Sequence, residues 1–263
     1  MNGPAAIGAA GGARDRLGRP ELLAVLALLL VSREARAMHL AEGILPLDWA
    51  AAWTLLAIPF VAVGLHLFGR RARSHSIHKP LVAMVAAAVF VVSCMPVPVP
   101  TAGTCSHPCG TGLAAIVIGP WMTILVTVVA LLLQASFLAH GGFTTLGANV
   151  LSMGVIGGFA GYAAFRLARE LGVPLWAAAF AAGVLSDWAT YAMTSFEIAA
   201  AFHGARSLGA MFAAVALAFV PTQLPLAILE GFLSAGAVTF LARRRPDLLA
   251  RPGVSALLSG AHP

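Results

Sequence analysis

Charged residues are scarce in this sequence: Lys, Arg, Asp and Glu make up only 10% of its 263 residues. A soluble domain carries about 25% charged residues, because its surface faces water. Hydrophobic residues make up 60% of the chain, and its mean hydropathy is +0.90. The shortage of charge excludes an ordinary soluble protein and indicates a chain whose solvent is the lipid bilayer.

Cysteine is also rare, and Cys94, Cys105 and Cys109 are its only occurrences. Three cysteines are too few for a disulfide scaffold, and the sequence lacks the Cys-x-x-Cys pair of a thiol-rich zinc site. It lacks the G-x-x-x-x-G-K-[ST] loop that holds nucleotide phosphates, and it lacks the H-E-x-x-H helix of zinc metalloproteases. The chain therefore carries neither a nucleotide-binding signature nor that protease signature.

The basic residues do not form the stripe with interleaved aromatic residues that binds nucleic acid. The net charge is +6 and the isoelectric point is about 10.2. The Lys and Arg residues collect in short segments between apolar runs, as they do in the cytoplasmic loops of membrane proteins. We therefore expect the lipid bilayer, and no nucleic acid, as a partner.

Consecutive apolar runs predict about seven membrane-spanning segments, since a spanning helix needs about 20 apolar residues. The runs lie at about 49–68, 80–95, 111–119, 121–139, 146–167, 174–194 and 208–241. The third run is too short for a regular span. The expected fold class is an all-α polytopic membrane protein of about seven helices, one of them short or broken.

The basic segments also predict the orientation of the chain in the membrane. Ten of the eleven Lys and Arg residues after Met38 fall in three segments, and Arg206 is the exception. The segments are 70–79, 166–169 and 243–251. If all three are cytoplasmic, the mature chain starts outside and ends inside, which requires an odd number of crossings. The stretch 97–139 must then cross the membrane twice.

The first part of this stretch is predicted to be irregular. Gly119-Pro120 interrupts it, and the part before this pair is short. We expect residues 97–118 to cross as partly irregular backbone, which is tolerated at membrane depth only where protein buries it or a polar cavity adjoins it. Because broken spans often mark the binding site of a transporter, this pattern points to residues 95–110.

The N-terminal region has the pattern of a secretory leader. Three arginines precede an apolar run at 22–31, and an Ala-Arg-Ala cleavage site follows at 35–37. Cleavage there would leave Met38 as the first residue, and so would translation that starts at Met38 itself. A retained amphipathic tail is the third alternative.

The first two residues of such a mature chain can chelate a metal ion. The α-amine of Met38, the backbone amide nitrogen of His39 and the His39 imidazole would close fused five- and six-membered rings. Once the amide is deprotonated, three nitrogens held in this way favour square-planar Ni(II) or Cu(II). His107, in the irregular segment, is the natural donor of a fourth nitrogen. From spacing alone, it is equally possible that His39 merely follows a cleavage site.

Ionisable and polar side chains inside apolar runs are costly and need a reason. Asp187 and Glu230 either form hydrogen bonds between helices or belong to an ion path. His140 precedes two glycines and is predicted to be a turn residue, with a metal ligand as the alternative.

Several sequence motifs are specific in combination, and together they cover most of the chain after residue 37. They resemble the CbiM/NikM family, the substrate-capturing membrane components of cobalt and nickel energy-coupling-factor (ECF) transporters. The motifs are Met38-His39-Leu40-Ala41-Glu42-Gly43-Ile44-Leu45-Pro46, Gly103-Thr104-Cys105-Ser106-His107, 113–120, Gly141-Gly142-Phe143-Thr144-Thr145-Leu146-Gly147-Ala148-Asn149 and Met153-Gly154-Val155.

The resemblance implies a bundle of about seven helices that the N-terminus enters. It implies that Met38, His39 and His107 bind the transported Co²⁺ or Ni²⁺, and that the protein has no cofactor of its own. It also implies partners: a membrane coupling subunit, two cytoplasmic ATPases and often a small accessory membrane protein. The chain would be a multi-pass transporter subunit of the bacterial plasma membrane rather than an enzyme.

Four further residues are candidates for the surroundings of the metal. Asn149 is expected to brace the metal loop, whereas Glu42 either orders the N-terminal loop or is an exposed carboxylate. Cys105 and Cys109 depart from the family pattern, as does the leader. The two cysteines form a short disulfide, stay inert thiols or bind the metal, in which case thiolates would favour Cu(I) or Zn²⁺.

We therefore predict the substrate-specific membrane subunit of an ATP-driven Co²⁺ or Ni²⁺ uptake transporter. One alternative is a proton-coupled secondary transporter that uses Asp187 or Glu230. The other is an intramembrane metalloenzyme. Such an enzyme would need an open coordination position on the metal for its substrate, and four nitrogens in a square occupy every position in their plane. The expected boundaries are 1–37 for the leader or a misassigned start, 38–245 for the transmembrane metal-capture domain and 246–263 for a cytoplasmic tail.

Overall fold

The computed structural model describes residues 40–74, 76–95, 97–99 and 104–249, without the side chains of 97–99 and 104–105. The predicted leader, both residues of the predicted N-terminal chelate and most of the predicted tail lie outside these ranges.

Seven helices of eight residues or more, and one short helix at the end, make up most of this described part. A small antiparallel hairpin, β1 (Val97–Val99) and β2 (Thr104–Ser106), follows the second helix. The helices are α1 (Leu47–Ser74), α2 (His78–Ser93), α3 (Thr111–Ile118), α4 (Pro120–Phe137), α5 (Leu146–Glu170), α6 (Leu175–Phe202), α7 (Leu208–Arg244) and α8 (Pro246–Leu249). The predicted fold class of about seven helices, one of them short, is confirmed.

Four helices of the described part are long and apolar enough to cross a bilayer, judged by length and composition: α1, α4, α5 and α7. Helix α2 is apolar but has only 16 residues. Helix α6 has 28 residues, yet polar side chains along it lower its hydropathy. At about 1.5 Å per residue, the eight residues of α3 extend only about 12 Å, so α3 alone does not span a membrane.

The distribution of side chains is that of a protein in lipid. Large apolar side chains lie on the outside of the bundle, for example Leu55 on α1 and Phe240 on α7. The interior holds polar groups, among them Gln134, Asp187 and Glu230, which are at most 1% exposed. The bilayer offers these groups no hydrogen-bond partners, so they face other helices.

Helix α3 is wedged in the centre of the bundle, and glycines make its close packing possible. A Cβ atom added to Gly112 of α3 would lie 2.7 Å from the carbonyl oxygen of Ala182 on α6. One added to Gly161 of α5 would lie 3.0 Å from the Cα atom of Gly112. Small residues at such positions let helix backbones approach closely in a membrane.

The break between α3 and α4 falls at the predicted Gly119-Pro120 pair. Gly119 has φ +82°, a conformation that favours glycine, and Pro120 begins α4. Helix α5 contains a second irregularity, because residues Val150–Gly157 form a π-helical segment directly after Asn149. Such segments are rare and are often found at functional sites.

Candidate metal centre

The loop that joins β2 to α3, residues 107–110, lies in the interior of the bundle. His107 is 2% exposed and Cys109 is 1% exposed. The hydroxyl group of Tyr191 on α6 donates to the carbonyl oxygen of His107 at 3.1 Å. The loop is irregular backbone that protein buries, as the sequence predicts for this segment.

Helix α7 holds the same loop through a carboxylate. The backbone amides of Cys109 and Gly110 each donate to one carboxylate oxygen of Glu230 at 2.8 Å. Gly110 has φ +69°, which turns the chain into α3. Glu230 therefore bonds the loop's backbone, a role that neither sequence alternative for this residue described.

The residue before the loop is fixed by the same helix. The Ser106 hydroxyl donates to the hydroxyl of Thr222 at 3.2 Å and accepts from the Gln223 amide. Helices α6 and α7 together thus determine the position of the segment that carries His107.

The His107 side chain borders a small polar cavity inside the bundle. Its walls come from the loop and from α5 and α6. The lining residues are His107, Cys109, Asn149, Ser152, Met153, Thr190, Tyr191 and Thr194. Because α6 contributes Thr190, Tyr191 and Thr194 at helical spacing, its polar face could have been found from the period of the sequence.

Leu40, the first residue of the described part, is buried and is held by α5. Its backbone amide donates to Oδ1 of Asn149 at 2.9 Å, and its carbonyl oxygen accepts from Nδ2 of Asn149 at 3.3 Å. The Thr145 hydroxyl donates to the same carbonyl oxygen. Asn149 also lines the cavity of His107. One side chain thus connects the N-terminal segment to that cavity.

Glu42 continues this attachment at the surface. Its Oε2 atom accepts from the backbone amide of Thr144 at 3.2 Å. The hydrogen bonds from Thr144, chiefly the one from its side chain, lower the pKa of the Glu42 carboxyl. A Cβ atom added to Gly142 would lie 2.6 Å from the Cα atom of Glu42, so the close approach requires a glycine. Glu42 is exposed and is hydrogen-bonded to the segment that follows α4.

His140 lies against His107, with the two ring centroids 5.3 Å apart. The sequence predicts a turn residue here, and the residue does follow the end of α4. Its contact with His107 depends on how α4 and the 107–110 loop meet in space, which spacing in the sequence does not reveal.

The structure thus brings His107, Cys109 and Asn149 to one cavity, with Glu42 attached nearby through the N-terminal segment. Met38 and His39 lie outside the described residues. Cys109 is a free, buried thiol. For Cys105 only the backbone is described.

Known proteins with this sequence pattern are membrane transport proteins. Residues 39–248 match a family model described as the CbiM cobalt uptake substrate-specific transmembrane region. The chain is 65% identical over 224 residues to the cobalt transport protein CbiM of Sorangium cellulosum (strain So ce56), which covers 85% of this chain and 100% of that protein. It is 54% identical over 231 residues to the protein of the same name from Geobacter sulfurreducens, with 88% of this chain and 67% of that protein covered.

A solved structure supports the same fold. The crystal structure of a truncated transition metal transporter is similar to this one with a TM-score of 0.69. The two sequences are 25% identical, and the similarity covers 78% of this chain and 99% of that one.

Proposed function

This chain belongs to the CbiM family and is a multi-pass membrane protein, and we propose that it captures Co²⁺ or Ni²⁺ for an ATP-driven uptake transporter. The observation that carries the proposal is the attachment of Leu40 beside the cavity of His107. In the proposed chain that begins at Met38, Leu40 is the third residue, so its attachment anchors the N-terminal segment beside the buried His107.

Four nitrogens would bind the ion. Three come from the α-amine of Met38 and the backbone amide and imidazole of His39, and the fourth comes from the imidazole of His107. His39 directly precedes Leu40, and consecutive Cα atoms are about 3.8 Å apart, so the bonds from Asn149 to Leu40 fix the point from which the chelate starts. A planar set of four nitrogens suits Ni(II), whereas the relatives are named as cobalt transport proteins. The substrate class is therefore a divalent first-row transition metal.

Release would follow from movement of α6 against α7. Tyr191 on α6 and Glu230 on α7 hold the backbone of the loop that carries His107. If the two helices shift, the loop shifts with them, and the fourth nitrogen leaves the plane of the other three. Partner subunits supply the energy: a membrane coupling subunit, two cytoplasmic ATPases and in many systems a small accessory membrane protein. The chain itself is a transporter subunit without an ATPase site.

The basic residues support an orientation with the mature N-terminus outside and the C-terminus in the cytoplasm of a bacterial cell. Arg73, Arg169 and Arg244 lie in the last turns of α1, α5 and α7. Lys and Arg at the ends of spans favour the cytoplasmic side. In the proposed arrangement residues 1–37 are removed or never translated, residues 38–245 capture the metal, and 246–263 form a cytoplasmic tail.

Uptake into proteoliposomes tests the transport mechanism. The chain is reconstituted with its coupling subunit and ATPases, and entry of radioactive cobalt is followed with and without ATP. We expect uptake to require ATP, and to stop when the ATPases carry a substitution that prevents hydrolysis. Uptake that a proton gradient drives without ATP would instead support secondary transport through Asp187 or Glu230.

Replacing Asn149 with alanine should weaken metal binding without preventing insertion. The substitution removes both hydrogen bonds between this side chain and Leu40 and leaves the one from Thr145, so the start of the N-terminal chelate is held less firmly. We expect the affinity for Co²⁺ or Ni²⁺ to fall by about 10- to 100-fold, as for other partners that orient metal ligands. Isothermal titration calorimetry on the purified protein measures the effect.

Gln134→Ala is the matched control for this experiment. It also removes a buried amide, which donates to the Ser93 hydroxyl at 2.7 Å, but Gln134 does not line the cavity of His107. If both variants lost the same affinity, the loss would reflect general loosening of the bundle rather than the attachment of Leu40.

A further inference from the structure

A second group of potential metal ligands lies beside the loop that carries His107. Cys109 on the loop, Asp187 on α6 and Glu230 on α7 each offer one ligand atom, and these atoms lie within 4.8 Å of one another. Each of the three residues is at most 1% exposed. One thiol and two carboxylates are therefore concentrated at one point inside the bundle.

The burial of Asp187, unlike that of Glu230, is not explained by hydrogen bonds to the described part of the protein. Both of its carboxylate oxygens are buried, and neither accepts a hydrogen bond from any residue in the described ranges. A buried carboxylate without such bonds is costly, most of all in a membrane protein, and positions of this kind usually mark a functional site. A cation bound between Asp187, the second carboxylate and the thiol would compensate for this burial.

Glu230 can take part without giving up its bonds to the loop. Its two oxygens accept from the amides of Cys109 and Gly110 at 2.8 Å. Each carboxylate oxygen has a second lone pair, so either oxygen can also face a cation. The bonds to the loop hold the carboxylate beside the thiol of Cys109.

We propose that Cys109, Asp187 and Glu230 form a second site for a divalent transition-metal cation, next to the site of His107. Metal–thiolate bonds are about 2.3 Å long and metal–carboxylate bonds about 2.0–2.2 Å, so a small inward rotation of the three side chains would close the site around an ion. One thiolate and two carboxylate ligands suit Co²⁺ or Zn²⁺ in a tetrahedral arrangement whose fourth ligand is water.

The position of the site indicates a step in ion transfer, and this part of the inference rests on the proposed function. Cys109 follows His107 by two residues on one loop. Asp187 lies one helical turn before Tyr191, which holds that loop, and in the proposed orientation it is nearer the cytoplasmic end of α6. When the loop leaves the N-terminal chelate, the ion would meet three anionic ligands on its way inward.

The absorption spectrum of bound Co²⁺ tests the second site, because a thiolate ligand produces a near-ultraviolet charge-transfer band that nitrogen ligands do not. The chain that begins at Met38 carries Cys94→Ser and Cys105→Ser, so that Cys109 is the remaining thiol, and CoCl₂ is added stepwise to the purified protein. We expect two ions to bind, and the thiolate band to rise with the second. Adding Cys109→Ser should remove the band and the second ion.

Asp187→Asn keeps the shape of the side chain and removes its charge. We expect the affinity for the second ion to fall by at least about tenfold, since even partners outside the ligand shell change metal affinity by about 10- to 100-fold. If Asp187 were only structural, the variant would change the melting temperature of the metal-free protein and leave the cobalt spectrum unaltered, which would overturn the proposal.

His107→Ala separates this inference from the proposed function. A second site predicts that the thiolate band persists in this variant while the all-nitrogen ion is lost. Absence of the band in the protein that retains Cys109 alone would overturn the second site. So would loss of the band together with the first ion in His107→Ala, because Cys109 would then belong to the first site. If the thiolate band appears both with and without His107 and no all-nitrogen ion is detected, the proposed four-nitrogen site is wrong and the second site is retained.

Discussion

Replacing His107 with alanine is expected to abolish tight binding of Co²⁺ and Ni²⁺ at the proposed four-nitrogen site. The substitution removes one of the four proposed nitrogen ligands from a buried cavity. Losing a residue that only orients a ligand lowers metal affinity by roughly 10- to 100-fold. Losing a ligand should lower it further, so we expect the affinity of this site to fall by at least about 100-fold. Titration calorimetry with each metal measures the change.

The variant should still insert and fold, because the hydrogen bonds from Tyr191 and Glu230 to the loop do not involve the imidazole. Tyr191 bonds the backbone carbonyl of residue 107, and Glu230 bonds the amides of the next two loop positions. His203→Ala is the matched control, since this histidine caps the end of α6 and does not line the cavity. Wild-type affinity in His107→Ala, together with a monodisperse protein, would remove His107 from the site.

Two residues added ahead of Met38 should abolish binding at the same site. A Gly-Ser extension converts the α-amine of Met38 into an amide and displaces the new amine from the chelate. Two residues are needed, because a single added residue would place His39 third and create a different four-nitrogen chelate without His107. We expect a loss of affinity similar to that of His107→Ala, since the same plane of nitrogens is incomplete.

The extension has a simple control and a clear contradictory result. The same two residues added after Pro263 leave the N-terminus intact and should leave affinity unchanged. Each protein is made to start at its intended first residue, and the start is verified by mass. If the N-terminally extended protein binds metal as well as the control, the amine of Met38 is not a ligand.

The helices of this protein are predictable from sequence because membrane spans are local patterns. The predicted runs at 121–139 and 208–241 correspond to α4 (Pro120–Phe137) and α7 (Leu208–Arg244). The interruption at Gly119-Pro120 is also local, since glycine permits the positive φ and proline begins the next helix. Apolar length and helix-breaking residues suffice for these features.

Features that depend on three-dimensional packing could not be predicted in the same way. The π-helical turns of α5 and the hairpin before His107 leave no periodic pattern in the apolar residues. The contact between His140 and His107 arises where two distant segments meet. A sequence pattern describes one element at a time, so contacts between elements stay hidden.

For two residues near the site, the sequence identified the residue but not its hydrogen-bond partner. Asn149 is predicted to brace the metal loop, and the structure shows it lining the cavity of His107 and hydrogen-bonded to the backbone of Leu40. Glu230 is predicted to bond another helix or an ion, and it bonds the amides of the 107–110 loop. Sequence patterns identified both residues as significant, because buried polar side chains are costly, but their partners follow only from the fold.

Native mass spectrometry of the purified protein, before and after a chelator, tests the central claim most directly. The account predicts a chain that begins at Met38 and retains one tightly bound Co or Ni ion after brief treatment with chelator. It also predicts that the His107→Ala protein has the same chain mass and lacks this ion. A chain that retains residues 1–37 and binds the metal as tightly as the chain that begins at Met38 would contradict the account. So would a chain that begins at Met38 and binds no metal after the sample is supplemented with Co²⁺ or Ni²⁺.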